Sequence, residues 1–181
     1  MTKKLRELLN RPLLQVAPAL LGMRLRTEQQ AGVTEIELVE VEAYGGVDDP
    51  ASHAYRGPKT RNASMFRPAG TLYVYRSHGV HWCANVATGP EGVGQAVLLR
   101  GGVPAAGLDL MRARRGRDDH LSDGPGKLTQ ALGITGKDDG IDLLARGRVQ
   151  LLPGQTQAEI TTTPRVGISV AKERPWRFVL S

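Results

Sequence analysis

The segment 33–42 constrains the fold more than any other part of this chain, because its pattern is that of a strand covered on both faces. One parity of the segment and its extension holds Ile36, Leu38, Glu40, Glu42 and Tyr44. The other parity holds Val39, Val41 and Ala43. Successive side chains of a strand point to opposite faces, so both faces are partly apolar, which predicts a central strand. Its C-terminal end should present Glu42 and Tyr44 together on one side.

Helices and shorter strands are predicted around this segment. Apolar spacing indicates helices at 2–10, 12–21 and 104–114, and a short helix in SDGPGKLTQALG, residues 122–133. Further strands are predicted from Met23 onward and at 71–76, 81–87, 95–100, 148–152 and 164–180, with a long loop at 45–70. The sequence has neither a regular βαβ alternation nor a GxGxxG after a strand. This favours an α+β fold, a single domain over 1–181 with a curved, mainly antiparallel sheet flanked by helices.

Composition limits the function classes. The 181 residues suit one domain, and no apolar run approaches the ~20 residues that span a bilayer. The N-terminal stretch lacks the apolar core and cleavage site of a signal peptide, so a cytoplasmic protein is expected. The only cysteine, Cys83, excludes an intramolecular disulfide and a Cys-rich zinc site. The net charge of +6 favours an anionic partner, nucleic acid first, although a solvated basic surface explains it equally well.

Acidic, basic and aromatic side chains concentrate between residues 42 and 75. Aromatic residues make up only 4% of the chain, yet three of its four tyrosines, Tyr44, Tyr73 and Tyr75, lie here with Glu42 and His53. Planar side chains stack on bases, so this grouping predicts a pocket for a flat ring with a carboxylate at its floor. The alternative for Glu42 is a structural role, capping a loop or pairing with an arginine. Taken singly, Tyr44 and His53 are equally explained as a core aromatic and a loop histidine.

Two further motifs allow other chemistry. His78, His81 and Cys83 form H-x-x-H-x-C, whose soft ligands suggest a metal. However, His78 precedes Gly79 in a predicted turn, and no fourth ligand is near. Cys83 lies in an apolar strand, where a thiol is usually inert. Lys127, in GPGK at a helix start, suits a phosphate contact, because a helix N-terminus presents free N–H groups. A solvated turn lysine explains it equally well.

Four blocks of the chain, in order, resemble one known family. They are VEVEAYGGVDDPASHAYRG, RNASMFRPAGTLYVYRSHGVHWCAN, AVLLRGGVPAAGLDLMR and SDGPGKLTQALG. Together they resemble the alkyladenine (3-methyladenine) DNA glycosylase family, the single-domain type of mammals and many bacteria. The resemblance runs from about Leu9 to Val179.

The resemblance implies roles for residues of a base pocket. Glu42 matches the general base that activates water for attack on C1′ of a flipped nucleotide, and Arg100 matches the arginine that helps to hold that water. The residues matching those that line the pocket and stack on the extruded base are Tyr44, His53 and Tyr75. Asn85 matches the asparagine that discriminates against the guanine 2-amino group.

The resemblance also implies a protruding β-hairpin and a DNA interface. Lys127 matches a lysine that contacts phosphate. At the hairpin tip, where well-known members carry a tyrosine wedge, this chain has His78, and Val80 is the neighbour that would otherwise take that role. The implied partner is double-stranded DNA with alkylated or deaminated purines, bound by a monomer.

The implied reaction is simple hydrolysis that leaves an abasic site, without metal or cofactor. The matched pocket positions hold no lysine, so a Schiff-base lyase route is not suggested. Two other hypotheses remain open at this point. One is a non-catalytic nucleic-acid-binding domain of related fold, which would not need Glu42. The other is a metal-dependent hydrolase that uses His78, His81 and Cys83, which chelators would inhibit.

Overall fold

The computed structural model describes residues 2–154 and 158–181, whose helices and strands are numbered in chain order. The helices are α1 (Thr2–Leu9), α2 (Leu13–Ala19), α3 (Leu108–Arg115) and α4 (Pro125–Leu132). The strands are β1 (Arg24–Gln29), β2 (Gly32–Tyr44), β3 (Leu72–Ser77), β4 (His81–Thr88), β5 (Gln95–Ala106), β6 (Val149–Leu152), β7 (Ile160–Thr163) and β8 (Arg177–Leu180). Short 3₁₀ turns lie at Gly46–Asp48, Thr60–Phe66 and Gly136–Asp138. None of the helices in these ranges has the length and apolarity needed to cross a bilayer.

Eight strands of the described chain form one sheet in which every pair is antiparallel. Its order is β3-β4-β5-β2-β1-β6, and β8 joins β2 and carries β7. The long strand β2 pairs with β5 on one side, and on the other side with β1 near its start and β8 near its end. The prediction of a central strand here is confirmed, as is the α+β class with a mainly antiparallel sheet.

Two bulges in the β2–β5 ladder correct the predicted faces of β2. Val39 has no partner between the pairs Leu38↔Gly102 and Glu40↔Gly101, and Arg100 has none between Glu40↔Gly101 and Val41↔Leu99. An extra residue in one strand shifts the alternation by one position. The core residues of β2 are therefore even-numbered before the bulge and odd-numbered after it, namely Ile36, Leu38, Val41 and Ala43.

The prediction that Ile36 and Leu38 share a face with Glu40, Glu42 and Tyr44 is therefore wrong. The expectation that Glu42 and Tyr44 lie together at the C-terminal end of this strand is confirmed, because a hydrogen bond of 2.9 Å joins them. The bulge turns the acidic end of β2 away from the core. After the bulge, Val41 and Ala43 still face the core, while Glu42 and Tyr44 face the opposite side.

The core lies on the sheet face that packs against α2 and α4. Its largest fully buried side chains include Leu9, Leu20, Ile36, Leu38, Leu99, Leu128 and Leu132. On strands β2, β3, β4 and β5, residues of the opposite parity face away from this cluster. That second face carries the candidate site.

Two predicted elements end or begin elsewhere. The helix predicted at 104–114 starts only at Leu108, because residues 104–106 extend β5 and Pro104 sits opposite Ile36 beside a register shift, a position where a missing N–H is tolerated. The strand predicted at 164–180 is wrong for 164–176, which form a loop between β7 and β8. Strand β7, at Ile160–Thr163, was not predicted from the sequence.

Candidate active site

Four adjacent strands place their outward-facing side chains around one cavity of about 1000 Å³. Strand β2 contributes Tyr44, and β5 contributes Leu98 and Arg100. The lining residues from β3 and β4 include Tyr73, Tyr75, Cys83 and Asn85. The structure therefore brings together the predicted pocket residues, although they are separated by up to about 55 positions in the chain.

Glu42 lies directly behind the cavity lining with no exposed surface. Its Oε2 accepts a hydrogen bond of 2.9 Å from the Tyr44 hydroxyl, and its Oε1 accepts one of 2.8 Å from the Val166 backbone N–H. Arg100 Nη1 lies 3.5 Å from the same Oε1. A buried carboxylate needs such partners, because an unpaired one is strongly destabilised away from water. All three partners line the cavity, so this carboxylate lies directly behind its wall.

Arg100 is held by a second carboxylate. Its Nε donates to Glu40 Oε1 at 2.8 Å, and Arg177 Nε donates to the same oxygen at 2.6 Å. Burial raises the pKa of Glu40, but the hydrogen bonds from Arg177 and Arg100 outweigh this and hold the pKa below its ordinary value. Burial disfavours the charged form of Arg100, yet Glu42 and Glu40 together raise the pKa of Arg100. Glu40 therefore has a structural role, in which it holds Arg100 and Arg177 together.

Aromatic rings form the opposite part of the lining. His53 Nδ1 lies 2.9 Å from the Tyr73 hydroxyl, and its ring meets the Tyr75 ring edge-on at a centroid distance of 4.4 Å. Tyr73 and Tyr75 are stacked at 5.6 Å. Burial, and secondarily Arg61, lower the pKa of His53, which favours the neutral imidazole. A neutral, planar cage of this kind suits a flat ring.

The long loop at 45–70 is fixed by a residue that sequence reasoning missed. Asn62 is fully buried, and its Nδ2 donates to His53 O at 2.8 Å and to Gly57 O at 3.2 Å. Its Oδ1 accepts from Lys59 N at 2.6 Å. Asn62 thereby holds the segment that delivers His53 to the cavity. The sequence carries a weak signal for this, since an asparagine amid turn residues commonly bonds backbone groups.

Asn85 and Cys83 complete the floor from β4. Asn85 is 4% exposed and its Nδ2 donates to Tyr73 O at 3.1 Å, which leaves its carbonyl oxygen as a free acceptor within the described residues. Burial raises the pKa of Cys83, although Tyr75 and Arg100 oppose this, so the thiol form is favoured. An inert thiol agrees with what the apolar strand predicted.

The β3–β4 hairpin ends in a tight turn at His78–Gly79. Val80 N donates to Ser77 O at 2.9 Å, and His78 and Gly79 have φ of +49° and +69°, as in a primed hairpin turn. Val80 is 64% exposed. His78 lines the outer part of the cavity, so the hairpin borders the site from outside.

The residues of the metal hypothesis do not converge. Cys83 is buried inside the pocket floor, whereas His81 is exposed and packs its Cβ against Gly126. In the described part of the chain, no three His, Cys, Asp or Glu side chains are grouped closely enough to hold a metal ion.

Lys127 lies outside the cavity, in the first turn of α4. Its Nζ donates to Asp123 Oδ1 at 3.0 Å, and His120 Nδ1 lies 2.5 Å from Asp123 Oδ2. Burial raises the pKa of Asp123, but the hydrogen bonds from His120 and Lys127 outweigh it and lower the pKa to about 2. The lysine is 40% exposed, so a phosphate would compete with Asp123 for it.

The loop 164–176 is the largest part of the site that the sequence did not predict. Residues 166–170 line the cavity, and Val166 and Val170 remain about half exposed there. The sequence had predicted a strand at 164–180 instead. Loops longer than about 12 residues inside a compact fold are commonly functional, a signal available only once β7 and β8 are delimited.

Known proteins match this chain over nearly its whole length. The model of the family described as methylpurine-DNA glycosylase matches residues 7–181. A protein of Frankia casuarinae is 47% identical over 186 residues, covering 95% of this chain and 86% of that protein. One of Agrobacterium fabrum is 50% identical over 172 residues, covering 94% and 84%. Each is named "Putative 3-methyladenine DNA glycosylase".

These matches confirm the resemblance found in the four sequence blocks. They include the block that begins with Val39 and carries Glu42 and Tyr44, and the block that carries Arg100. The chain belongs to the methylpurine-DNA glycosylase family, whose members are DNA-repair hydrolases acting on the N-glycosidic bond.

Proposed function

We propose that this protein flips alkylated or deaminated purines out of duplex DNA and hydrolyses their N-glycosidic bond, with water activated by Glu42. The observation that supports this most strongly is the position of Glu42, a buried carboxylate held by Tyr44, Val166 and Arg100 behind an aromatic-lined cavity. A base inside a duplex is unreachable, so a pocket of this kind requires extrusion. The names of the relatives from Frankia casuarinae and Agrobacterium fabrum agree with an alkylated purine as substrate.

The reaction needs few protein groups. A water attacks C1′, its proton passes to Glu42, and the electron pair of the breaking C1′–N bond leaves with the base. The sugar passes through an oxocarbenium-like state that a nearby carboxylate stabilises. Bases such as 3-methyladenine and 7-methylguanine carry a positive charge in the nucleoside and leave as neutral molecules, so they need no general acid. Tyr44, Arg100 and Val166 contact Glu42 and line the cavity, so they would aim the water towards its carboxylate.

The aromatic cage would select the base. Tyr44, His53 and Tyr75 provide planar faces for an extruded purine, and base–aromatic stacking contributes about 1–3 kcal/mol per base. Asn85 would discriminate against the guanine 2-amino group at the pocket floor. Its position under Tyr73, with 4% of its surface exposed, fits a residue met only by a fully inserted base.

The hairpin and the basic surface would hold the DNA. His78 at the tip, with Val80 beside it, would fill the space left by the flipped base, and Lys127 would contact a phosphate. We further propose that residues 1–181 act as one domain and as a monomer. Since the relatives above are bacterial and the substrate is DNA, the protein would work in the bacterial cytoplasm.

The test is to incubate the protein with duplexes that each carry one lesion: 3-methyladenine, 7-methylguanine, hypoxanthine or ethenoadenine. Free base is measured by chromatography, and abasic sites by strand cleavage with and without alkali. The proposal expects base release with cleavage only after alkali. Tight, salt-sensitive DNA binding without release of any of the four bases would instead establish a non-catalytic binding domain.

A further inference from the structure

An ion pair with no exposed surface lies beside the cavity and takes no part in the mechanism above. Arg165 Nη1 and Nη2 donate to the two carboxylate oxygens of Asp49 at 2.5 and 2.9 Å, and both side chains are 0% exposed. Arg165 Nη1 also donates to Ala43 O at 2.9 Å. Gly45 N donates to Asp49 at 3.1 Å. The pair therefore joins the end of β2 to the loop 164–176.

The guanidinium of Arg165 is also enclosed between two aromatic rings. Its Cζ lies 4.8 Å from the centroid of the Tyr44 ring and 5.1 Å from that of Trp176. A cation over an aromatic face is attracted to it, most strongly where water is excluded. The ring of Tyr44 is thus held from behind, while its hydroxyl donates to Glu42.

Both neutral hydrogen-bond donors of Glu42 depend on this arginine. Val166, whose N–H donates to Glu42 Oε1, directly follows Arg165 in the chain, and Tyr44, which donates to Oε2, stacks on its guanidinium. A shift of Arg165 would move the two donors together. The carboxylate would then keep only Arg100, at 3.5 Å.

Stability alone does not account for such a pair. Replacing a buried ion pair by apolar residues is often neutral or stabilising, because desolvation offsets the attraction between the charges. Here the desolvation penalty of the pair is increased, because Arg165 Nε is buried and has no hydrogen-bond partner among residues 2–154 and 158–181. Burial raises the pKa of Asp49, but hydrogen bonds from Arg165 and Gly45 outweigh this and keep the pKa low, which favours a charged pair.

We propose that Arg165 and Asp49 are positioning residues for the hydrolytic step, which aim the Glu42 carboxylate through Val166 and Tyr44. This inference rests on the proposed function, because it assigns a purpose to the orientation of Glu42. Neither residue touches the substrate. They fix the loop that closes over Glu42 so that its two oxygens keep one orientation as the base enters the cavity.

The test is Asp49→Asn, with Glu35→Gln as its matched control. Glu35 is also a buried carboxylate in an ion pair, with Arg24 at 2.9 Å, but lies seven residues before Glu42 on the same strand, about 23 Å away. Three quantities are measured for each variant: the unfolding midpoint, the Kd for duplex DNA carrying a stable abasic analogue, and the single-turnover rate of base release. Rates are taken well below the lower midpoint.

The proposal expects both variants to lose stability and both to keep the wild-type Kd. Only Asp49→Asn should lose single-turnover rate, by roughly 10–100-fold, as misplacement of a catalytic group by about 1 Å does. A merely structural pair would lower the midpoint and leave the rate at wild-type level. That result would overturn the proposal, as would a parallel loss of rate in Glu35→Gln.

A second variant covers the case in which Asp49→Asn does not fold. Trp176→Leu removes one face of the stack and keeps the ion pair, and it should lower the rate severalfold without changing the Kd. An unchanged rate in Trp176→Leu contradicts the proposal. Glu42→Gln is assayed in parallel: if it excises at the wild-type rate, the proposed function itself fails. If Glu42→Gln is inactive while the other variants keep full rate, only the positioning role fails.

Discussion

The two segments that border the cavity are held in opposite ways. The loop 164–176 is anchored by the buried Arg165–Asp49 pair and by the bond from Val166 to Glu42. The hairpin tip is closed by one turn hydrogen bond, from Val80 to Ser77, and its side chains project into solvent. Groups that perform chemistry gain from preorganisation, whereas groups that meet DNA must be free to adapt to it. Under the proposed function, this difference separates a catalytic side, the loop 164–176 with Glu42, from a binding side, the hairpin tip.

Changes on the catalytic side should reduce the rate more than binding, and after substitution of Glu42 itself the largest effect is expected at Arg100. Arg100→Gln removes the cation beside Glu42 and should lower the single-turnover rate by about 10²-fold, as loss of one preorganised donor does. Arg177→Gln is the matched control, because Arg177 binds the same Glu40 oxygen but does not reach Glu42. Equal rate losses in the two variants would contradict a direct role for Arg100.

The same ion pairs predict acid sensitivity of the fold. The pKa values of Glu40 and Asp49 are lowered in the folded state, so their stabilisation is present above pH ~4.5, and is lost as pH falls through the folded values. Arg177→Gln should cost about 1.5 kcal/mol at pH 7, the contribution of a hydrogen bond to a charged group, and less in acid. Urea unfolding followed from about pH 7 down to about pH 3, below the ordinary carboxyl pKa values, measures this. If the loss of unfolding free energy in Arg177→Gln stays constant with pH, this prediction is wrong.

On the binding side, Lys127→Ala should change salt dependence without changing chemistry. Each phosphate contact contributes about 0.9 to the slope of log K against log salt, so the slope should flatten by about that amount. The control is Lys3→Ala, an exposed lysine of α1 that does not line the cavity. An unchanged slope in Lys127→Ala would show that the lysine stays with Asp123 when DNA binds.

The smallest effect is expected at the hairpin tip. Imidazole covers less of a vacated stack than phenol, so His78→Tyr should tighten binding severalfold and raise the flipped fraction. The positive φ of His78 opposes this, because a bulky side chain is strained there. Fluorescence of 2-aminopurine beside a lesion measures flipping, with His78→Ala as the control. If neither variant alters flipping, Val80 becomes the candidate wedge.

Local pattern was sufficient for most of the strands and for the site residues on them. The parity of Glu42 and Tyr44 and the strands at 71–76, 81–87 and 95–100 were predictable, because each depends on the alternation of nearby side chains. The bulge at Val39 was not, because it arises from a pairing with a strand about 60 residues away. The prediction continued the alternation of side chains through this bulge, and it therefore placed Ile36 and Leu38 on the wrong face of β2.

The loop 164–176, which lines one side of the cavity, could not be predicted from the sequence for a related reason. Arg165 and Asp49 are 116 positions apart, and the strand predicted at 164–180 gave no indication that they pair. An isolated arginine and an aspartate in a Gly/Pro-rich loop have no local signature of burial. The buried ion pair and the packing of Trp176 and Tyr44 around the guanidinium, seen only in the folded structure, show that this loop is fixed.

The most direct test of the central claim is the effect of Glu42→Gln on binding and on chemistry. Glutamine keeps the shape of the side chain, and the Tyr44 hydroxyl can rotate to accept from the new amide, so folding should be preserved. If Glu42 activates water, the variant binds abasic-analogue DNA with the wild-type Kd, while single-turnover base release falls by roughly 10²–10⁴-fold. Base release at the wild-type rate would contradict the account.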